Sequence, residues 1–186
     1  MAGILIIAHA PLASALKECV AHIYGGLPAR IGAIDVLPDS DPVQVVAQAN
    51  SEIDRLREDN GMLVLTDMFG ATPANIASRL SALPGVRVLA GVNLPMLVRG
   101  VCYRACDLDL LVEKALAGAA KGVHAIGPLV EGVQAGSPCD EPPCTGPGVP
   151  VVTAAQRAGA IADADVGSGK TANAPASTGS PSGTQH

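Results

Sequence analysis

Apolar and polar positions alternate along this chain in a unit that recurs. A short uncharged apolar run ends on a polar residue, and a longer stretch of helical periodicity follows. Gly3 to Ala8 runs apolar into His9, and after Pro11 the segment LASALKECVAHIYGG reads as a helix that Gly25-Gly26 and Pro28 stop. Arg30 to Val36 alternates and reads as a second strand. Asp41-Pro42 then supplies a cap and a first helical position. In the helix that follows, Val45, Val46, Ala49, Ile53 and Leu56 recur at helical spacing, while Glu52, Asp54, Arg55, Arg57, Glu58 and Asp59 form a solvated face. The run from Met62 to Thr66 ends in Asp67, and Thr72-Pro73 reads as a second cap-then-proline pair opening a third helix. Val86 to Gly91 is a further strand with its turn at Val92 to Pro95. Met96 through Cys102 is helical, and Asp107 to Ala120 is a helix with Leu108, Leu111, Val112, Ala115 and Leu116 on one face. Gly122 to Pro128 is a last, short strand candidate. Beyond about Val133, Gly, Pro, Ser, Ala and Thr dominate, so residues 1–133 are expected to form the domain and 134–186 a disordered tail.

Strands that alternate with helices point to the α/β class, and composition supports it. The chain is 48% apolar, yet Tyr24, Tyr103 and Phe69 are its only aromatic residues. An aliphatic core of this kind suits a parallel sheet covered on both faces. The net charge of −5 comes without any basic cluster, which gives nucleic-acid binding no electrostatic support. No apolar run approaches the roughly 20 residues of a membrane span, and no cleavable leader is recognisable, so a cytoplasmic protein is expected. The five cysteines have neither disulfide-framework nor zinc-site spacing and read as small core or incidental residues. Gly167-Ser168-Gly169-Lys170-Thr171 resembles the end of a phosphate-binding loop. However, the required first glycine falls on Ala164 and no strand precedes it.

In a parallel sheet, the polar residues that end strands share one edge, so His9, Asp67 and Asn93 converge there. A carboxylate bonded to one imidazole nitrogen fixes the tautomer and leaves the other nitrogen's lone pair free as a nucleophile. His9 and Asp67 can form such a pair. Thr72 and the helix start behind it offer a hydroxyl and backbone N–H groups to an anion, and Gly70 permits close backbone approach. Each residue also has a plainer reading: a histidine bonded locally, an acid turning the chain, an ordinary N-cap. It is their joint placement after strand ends that favours chemistry. His22 and His124 have no acid at a comparable strand end and read as structural or surface residues.

At these residues the chain resembles a known family. IIAHAPLASAL, LTDMFGATPANIA and GVNLPML are similar, in order and spacing, to the signature segments of the mannose-family IIA component of the bacterial phosphoenolpyruvate-dependent sugar phosphotransferase system. The resemblance covers residues 1 to about 130. It implies a doubly wound, mostly parallel α/β sheet with helices on both faces, and a homodimer exchanging a short C-terminal edge strand. It also implies a histidine, here His9, that accepts a phosphoryl group from phospho-HPr and passes it to a IIB component, with Asp67 orienting the ring. By the same resemblance Gly70, Ala71 and Thr72 bind the phosphoryl group and Met68, Phe69, Pro95 and Met96 dock partners. No metal or organic cofactor is implied, and contact with the membrane is only through partners of the system. Thr72 stands where the family commonly has serine, Ala71 where it often has a second glycine, and Ala10 where relatives often carry glycine. Two further readings share the strand-end histidine: the phosphocarrier subunit of a dihydroxyacetone kinase, and a regulatory module that changes partners when phosphorylated.

Overall fold

The computed structural model describes residues 1–125. Its elements run β1 (Gly3–His9), α1 (Leu12–Tyr24), β2 (Ile31–Val36), α2 (Pro42–Leu56), β3 (Met62–Thr66), α3 (Thr72–Leu80), β4 (Val86–Ala90), α4 (Leu94–Tyr103) and α5 (Leu108–Lys121). The four strands form one all-parallel sheet in the order β2-β1-β3-β4. The chain winds outward from β1 to β2 in one direction and from β3 to β4 in the other. The connections therefore reverse between the two central strands. Open α/β sheets bind ligands in the crevice at that reversal, outside the carboxyl ends of the strands.

Period-two alternation in the strands divides the core into two layers. Ile4, Ile6 and Ala8 of β1 pack with Ala13, Leu16 and Val20 of α1 and with Met96, Leu97, Leu111 and Ala115 of α4 and α5. Leu5 and Ile7 face the other way, against Val45, Ala49 and Ile53 of α2 and Ile76, Ala77 and Leu80 of α3. Both central strands are buried along almost their whole length, which is why they read as unbroken apolar runs. Full burial of each such side chain contributes about 1.5–3 kcal/mol. At the amino edge the turn into β3 requires Gly61: its φ is +84°, and a Cβ there would lie 2.5 Å from the Gly85 carbonyl oxygen.

Helix starts follow the expected residues with two exceptions. Asp41 caps α2 through Val43 N–H at 2.9 Å, with Pro42 in the first turn. Thr72, by contrast, is not a cap. Ala71 takes that position and Thr72 is the first helical residue, because Pro73 fits the fixed φ of the first turn equally well one position further in. The helix expected from Met96 starts at Leu94, since Asn93 caps it by accepting Met96 N–H at 2.8 Å. The Gly122–Pro128 strand is not found where it is described. Gly122 closes α5, residues 123–125 carry no strand, and residues 126–128 lie outside the described residues. The expected tail 134–186, with its Gly167–Thr171 motif, also lies outside them. Among the described residues no helix is long and apolar enough to cross a membrane.

Candidate functional site

The last residue of β1 and the first residue after β3 meet at the reversal point. His9 Nδ1 lies 2.6 Å from Asp67 Oδ2, which also accepts the His9 backbone N–H at 2.9 Å. The second carboxylate oxygen, Oδ1, accepts Met68 N–H at 2.7 Å. Three N–H groups therefore fix the carboxylate. The loop after β4 holds its backbone, Gly91 N–H donating to the Asp67 carbonyl at 2.6 Å and Val92 N–H to that of Thr66 at 3.0 Å. Burial pushes the Asp67 carboxyl up, and is the largest single influence on it. The backbone bonds from His9 and Met68, then the His9 ring, together outweigh burial and hold the carboxyl below its ordinary value.

An ionised carboxylate against Nδ1 selects the tautomer in which Nδ1–H donates, so the lone pair is on Nε2. The His9 side chain is 50% exposed and Asp67 only 12%. The ring is thus held from inside and open from outside. It resembles the nucleophile-and-orienter arrangement of hydrolytic triads, with the imidazole itself as nucleophile.

Not every helix start at this edge is open to an anion. At α1, Asp35 Oδ1 accepts the N–H groups of Ala13 at 2.9 Å and Ser14 at 3.2 Å, so the helix start that follows His9 is already filled by a protein carboxylate. Asn93, expected at the shared edge, is used as the cap of α4, and its Nδ2 donates to the Ala119 carbonyl at 3.4 Å. Among the described residues, only α3 begins without a side chain bonded to its first backbone N–H groups. Thr72 is exposed there, and the loop in front is shaped by Gly70, whose φ of +84° favours glycine, with Asn75 Nδ2 bonded to the Gly70 carbonyl at 3.3 Å.

The residues expected to dock partners separate into two groups. Met68 and Phe69 project into solvent, 63% and 89% exposed, directly after Asp67 in the chain. Met96 does not: it is 2% exposed and belongs to the core under α4, because helical periodicity turns it inward once the helix begins at Leu94. Pro95 is half-buried, and its ring packs against Gly122 at the end of α5. His22 and His124 are exposed. Among the described residues no group of three or more His, Cys, Asp or Glu could hold a metal. Asp35 went unassigned in the sequence, although an acid in the strand IGAIDV one residue before its carboxyl end was a legible signal.

Residues 3–117 match the family model of the phosphotransferase-system fructose IIA component. The chain belongs to this family. It is 34% identical over 100 residues to the mannose-specific EIIAB component of Escherichia coli strain K12, covering 52% of this chain and 31% of that protein. It is 33% identical over 96 residues to the sorbose-specific EIIA component of Lacticaseibacillus casei, covering 51% of this chain and 68% of that one. The chain thus spans about a third of the length of the EIIAB relatives it matches. Among solved structures, the EIIA component of Streptococcus agalactiae superposes with a TM-score of 0.61 at 28% identity, over 67% of this chain and 97% of that one. The chain is therefore a member of the EIIA family and is built on the EIIA fold.

Proposed function

We propose that this EIIA-family chain is a phosphohistidine carrier, with His9 as the phosphoryl acceptor, phospho-HPr as the donor and a IIB component as the recipient. Nε2 of His9 attacks the phosphorus in line with the bond to the donor. The Nε2–P bond forms as the donor bond breaks, and its electron pair leaves with the donor. The ring becomes cationic while phosphorylated, and the Asp67 carboxylate on Nδ1–H is its counter-charge. The uncapped N-terminus of α3, through the N–H groups of Thr72 and Ala74 and the Thr72 hydroxyl, receives the phosphoryl oxygens, with Gly70 and Ala71 letting the backbone approach. Met68 and Phe69 form the apolar rim on which either partner rests. No metal or organic cofactor enters this scheme.

The observation that carries this reading is the 2.6 Å Nδ1–carboxylate bond of a half-exposed histidine at the sheet's reversal point. Incubation with phosphoenolpyruvate, enzyme I and HPr should add one acid-labile, base-stable phosphoryl group that peptide mapping places on His9. His9→Ala should abolish it, and label that persists in His9→Ala would sink the carrier reading. Onward transfer to a IIB partner separates a carrier from a module that only changes partners when phosphorylated.

We also propose a homodimer. β4 pairs only with β3 among the described residues, and four of its five residues retain some exposure, so its outer edge can accept a strand from a second copy. Light scattering at micromolar concentration should give twice the chain mass, and a clean monomer would refute the dimer.

A further inference from the structure

Asp35 is a charged side chain in a strand that is otherwise apolar or glycine, opposite Ala8 in the β1–β2 ladder and so one position from His9. Its Oδ1 accepts from Ala13 and Ser14, the second and third residues of α1. The residue that precedes α1, Pro11, offers no side-chain cap of its own. Strand alternation puts Asp35 with Ile31 and Ala33 on the face α1 covers, and His9 with Leu5 and Ile7 on the face of α2 and α3. The carboxylate and the imidazole are therefore neighbours at one sheet edge, on its two sides.

We propose that Asp35 is a positioning residue for the phosphoryl group carried by His9, an inference that rests on the reading of His9 as acceptor. A helix N-terminus acts on an anion like roughly half a positive charge. Asp35 fills that position at α1 with a fixed carboxylate, so the phosphoryl oxygens are left with α3. The same carboxylate opposes the charge of about −2 that phosphorylation places on the other side of the edge. The phosphohistidine is then bound weakly enough to be passed on, as a carrier requires.

The test is the equilibrium level of phospho-His9 in the full chain, read by phosphorus NMR in exchange with excess potassium phosphoramidate and ammonia. In this exchange the P–N bond to ammonia breaks, ammonia leaves with the electron pair, and the Nε2–P bond forms. Asp35→Asn keeps a capping oxygen while removing the charge, as does Asp35→Ser should the first variant fold poorly. The ratio of phosphorylated to free protein should rise about threefold to tenfold in either variant. It should stay at the wild-type value in Glu58→Gln, which removes one charge at the opposite end of the sheet. An unchanged ratio in a folded Asp35 variant overturns the inference, as does an equal rise in Glu58→Gln. Wild-type protein labelled on His9 by phosphoramidate but not by phospho-HPr would remove only the assignment of the donor. Protein that phosphoramidate does not label on His9 would overturn both.

Discussion

Two carboxylates in short contacts sit at opposite ends of this sheet. At the amino end, Glu58 Oε2 accepts from the terminal amino group of Met1 at 2.6 Å, and its Oε1 lies 2.5 Å from Arg30 Nε. At the carboxyl end, Asp67 holds His9 at 2.6 Å. Contact distance does not tell the two apart, and in both the carboxyl is held below its ordinary value. For Glu58 the main cause is the bond from the terminal amino group, with burial opposing it and Arg30 adding to it. The difference lies in the partner. An ammonium and a guanidinium have only donors, so pairing leaves no lone pair that could react. An imidazole has a second nitrogen, and pairing the first prepares the second. The amino-end cluster fastens the chain, whereas the carboxyl-end pair leaves a lone pair exposed for reaction.

The sharpest way to break this contrast is Asp67→Asn. The amide can turn either its carbonyl or its NH₂ toward Nδ1, and the NH₂ favours the tautomer with Nε2 protonated. Phosphoryl acceptance from phospho-HPr should fall on the order of 100-fold, measured as the initial rate of mass gain. The thermal midpoint should stay within a few degrees of wild type, because the group is at the crevice edge and outside both core layers. A wild-type rate would remove Asp67 from the mechanism.

A second contrast lies within the docking residues. Met96→Ala should lower stability by about 2–5 kcal/mol, as a core truncation does. Phe69→Ala, at an 89% exposed position, should leave the thermal midpoint in place and raise the concentration of phospho-HPr needed for half-maximal rate. Urea unfolding alongside partner titration separates the two, and the reverse pattern would undo the assignment of Met96 to the core.

These residues also show where the sequence was legible and where it was not. His9 and Asp67 were readable because apolar runs that end abruptly mark strand ends, and a parallel sheet brings strand ends to one edge. The strand and helix succession, the Asp41-Pro42 start and the two-faced core followed from the same periodicity. Met96 was misread because a motif gives adjacency in sequence. Whether a residue two positions into a helix faces a partner or the core depends on where the helix starts, which the Asn93 cap decides. Thr72 was misplaced by one residue for a similar reason, since proline is accepted at either of the first helical positions. Asp35 was missed because its partners, Ala13 and Ser14, are 22 and 21 residues away and belong to another element. The acid near the end of IGAIDV was legible as a strand-end residue, but nothing local says which helix it caps.

The smallest expected effect is also the control on the whole comparison. Glu58→Gln removes the anion of the amino-end cluster but leaves a side chain that can still accept from Arg30. Its rate of phosphoryl acceptance should match wild type, and its thermal midpoint should drop by no more than a degree or two, because exposed ion pairs contribute little. Acid titration adds the sign. Both carboxyls have folded-state values below their unfolded values of about 4. Each therefore contributes stability that is present above pH 4 and disappears as pH falls through the folded value. In Glu58→Gln and in Asp67→Asn one such contribution is missing at neutral pH, so the loss of stability on acidification below about pH 4 should be shallower than in wild type. Only Asp67→Asn should also lose phosphoryl acceptance at neutral pH. If Glu58→Gln slowed transfer as well, the two ends of the sheet would be coupled, and the division between a fastening pair and a reacting pair would fail.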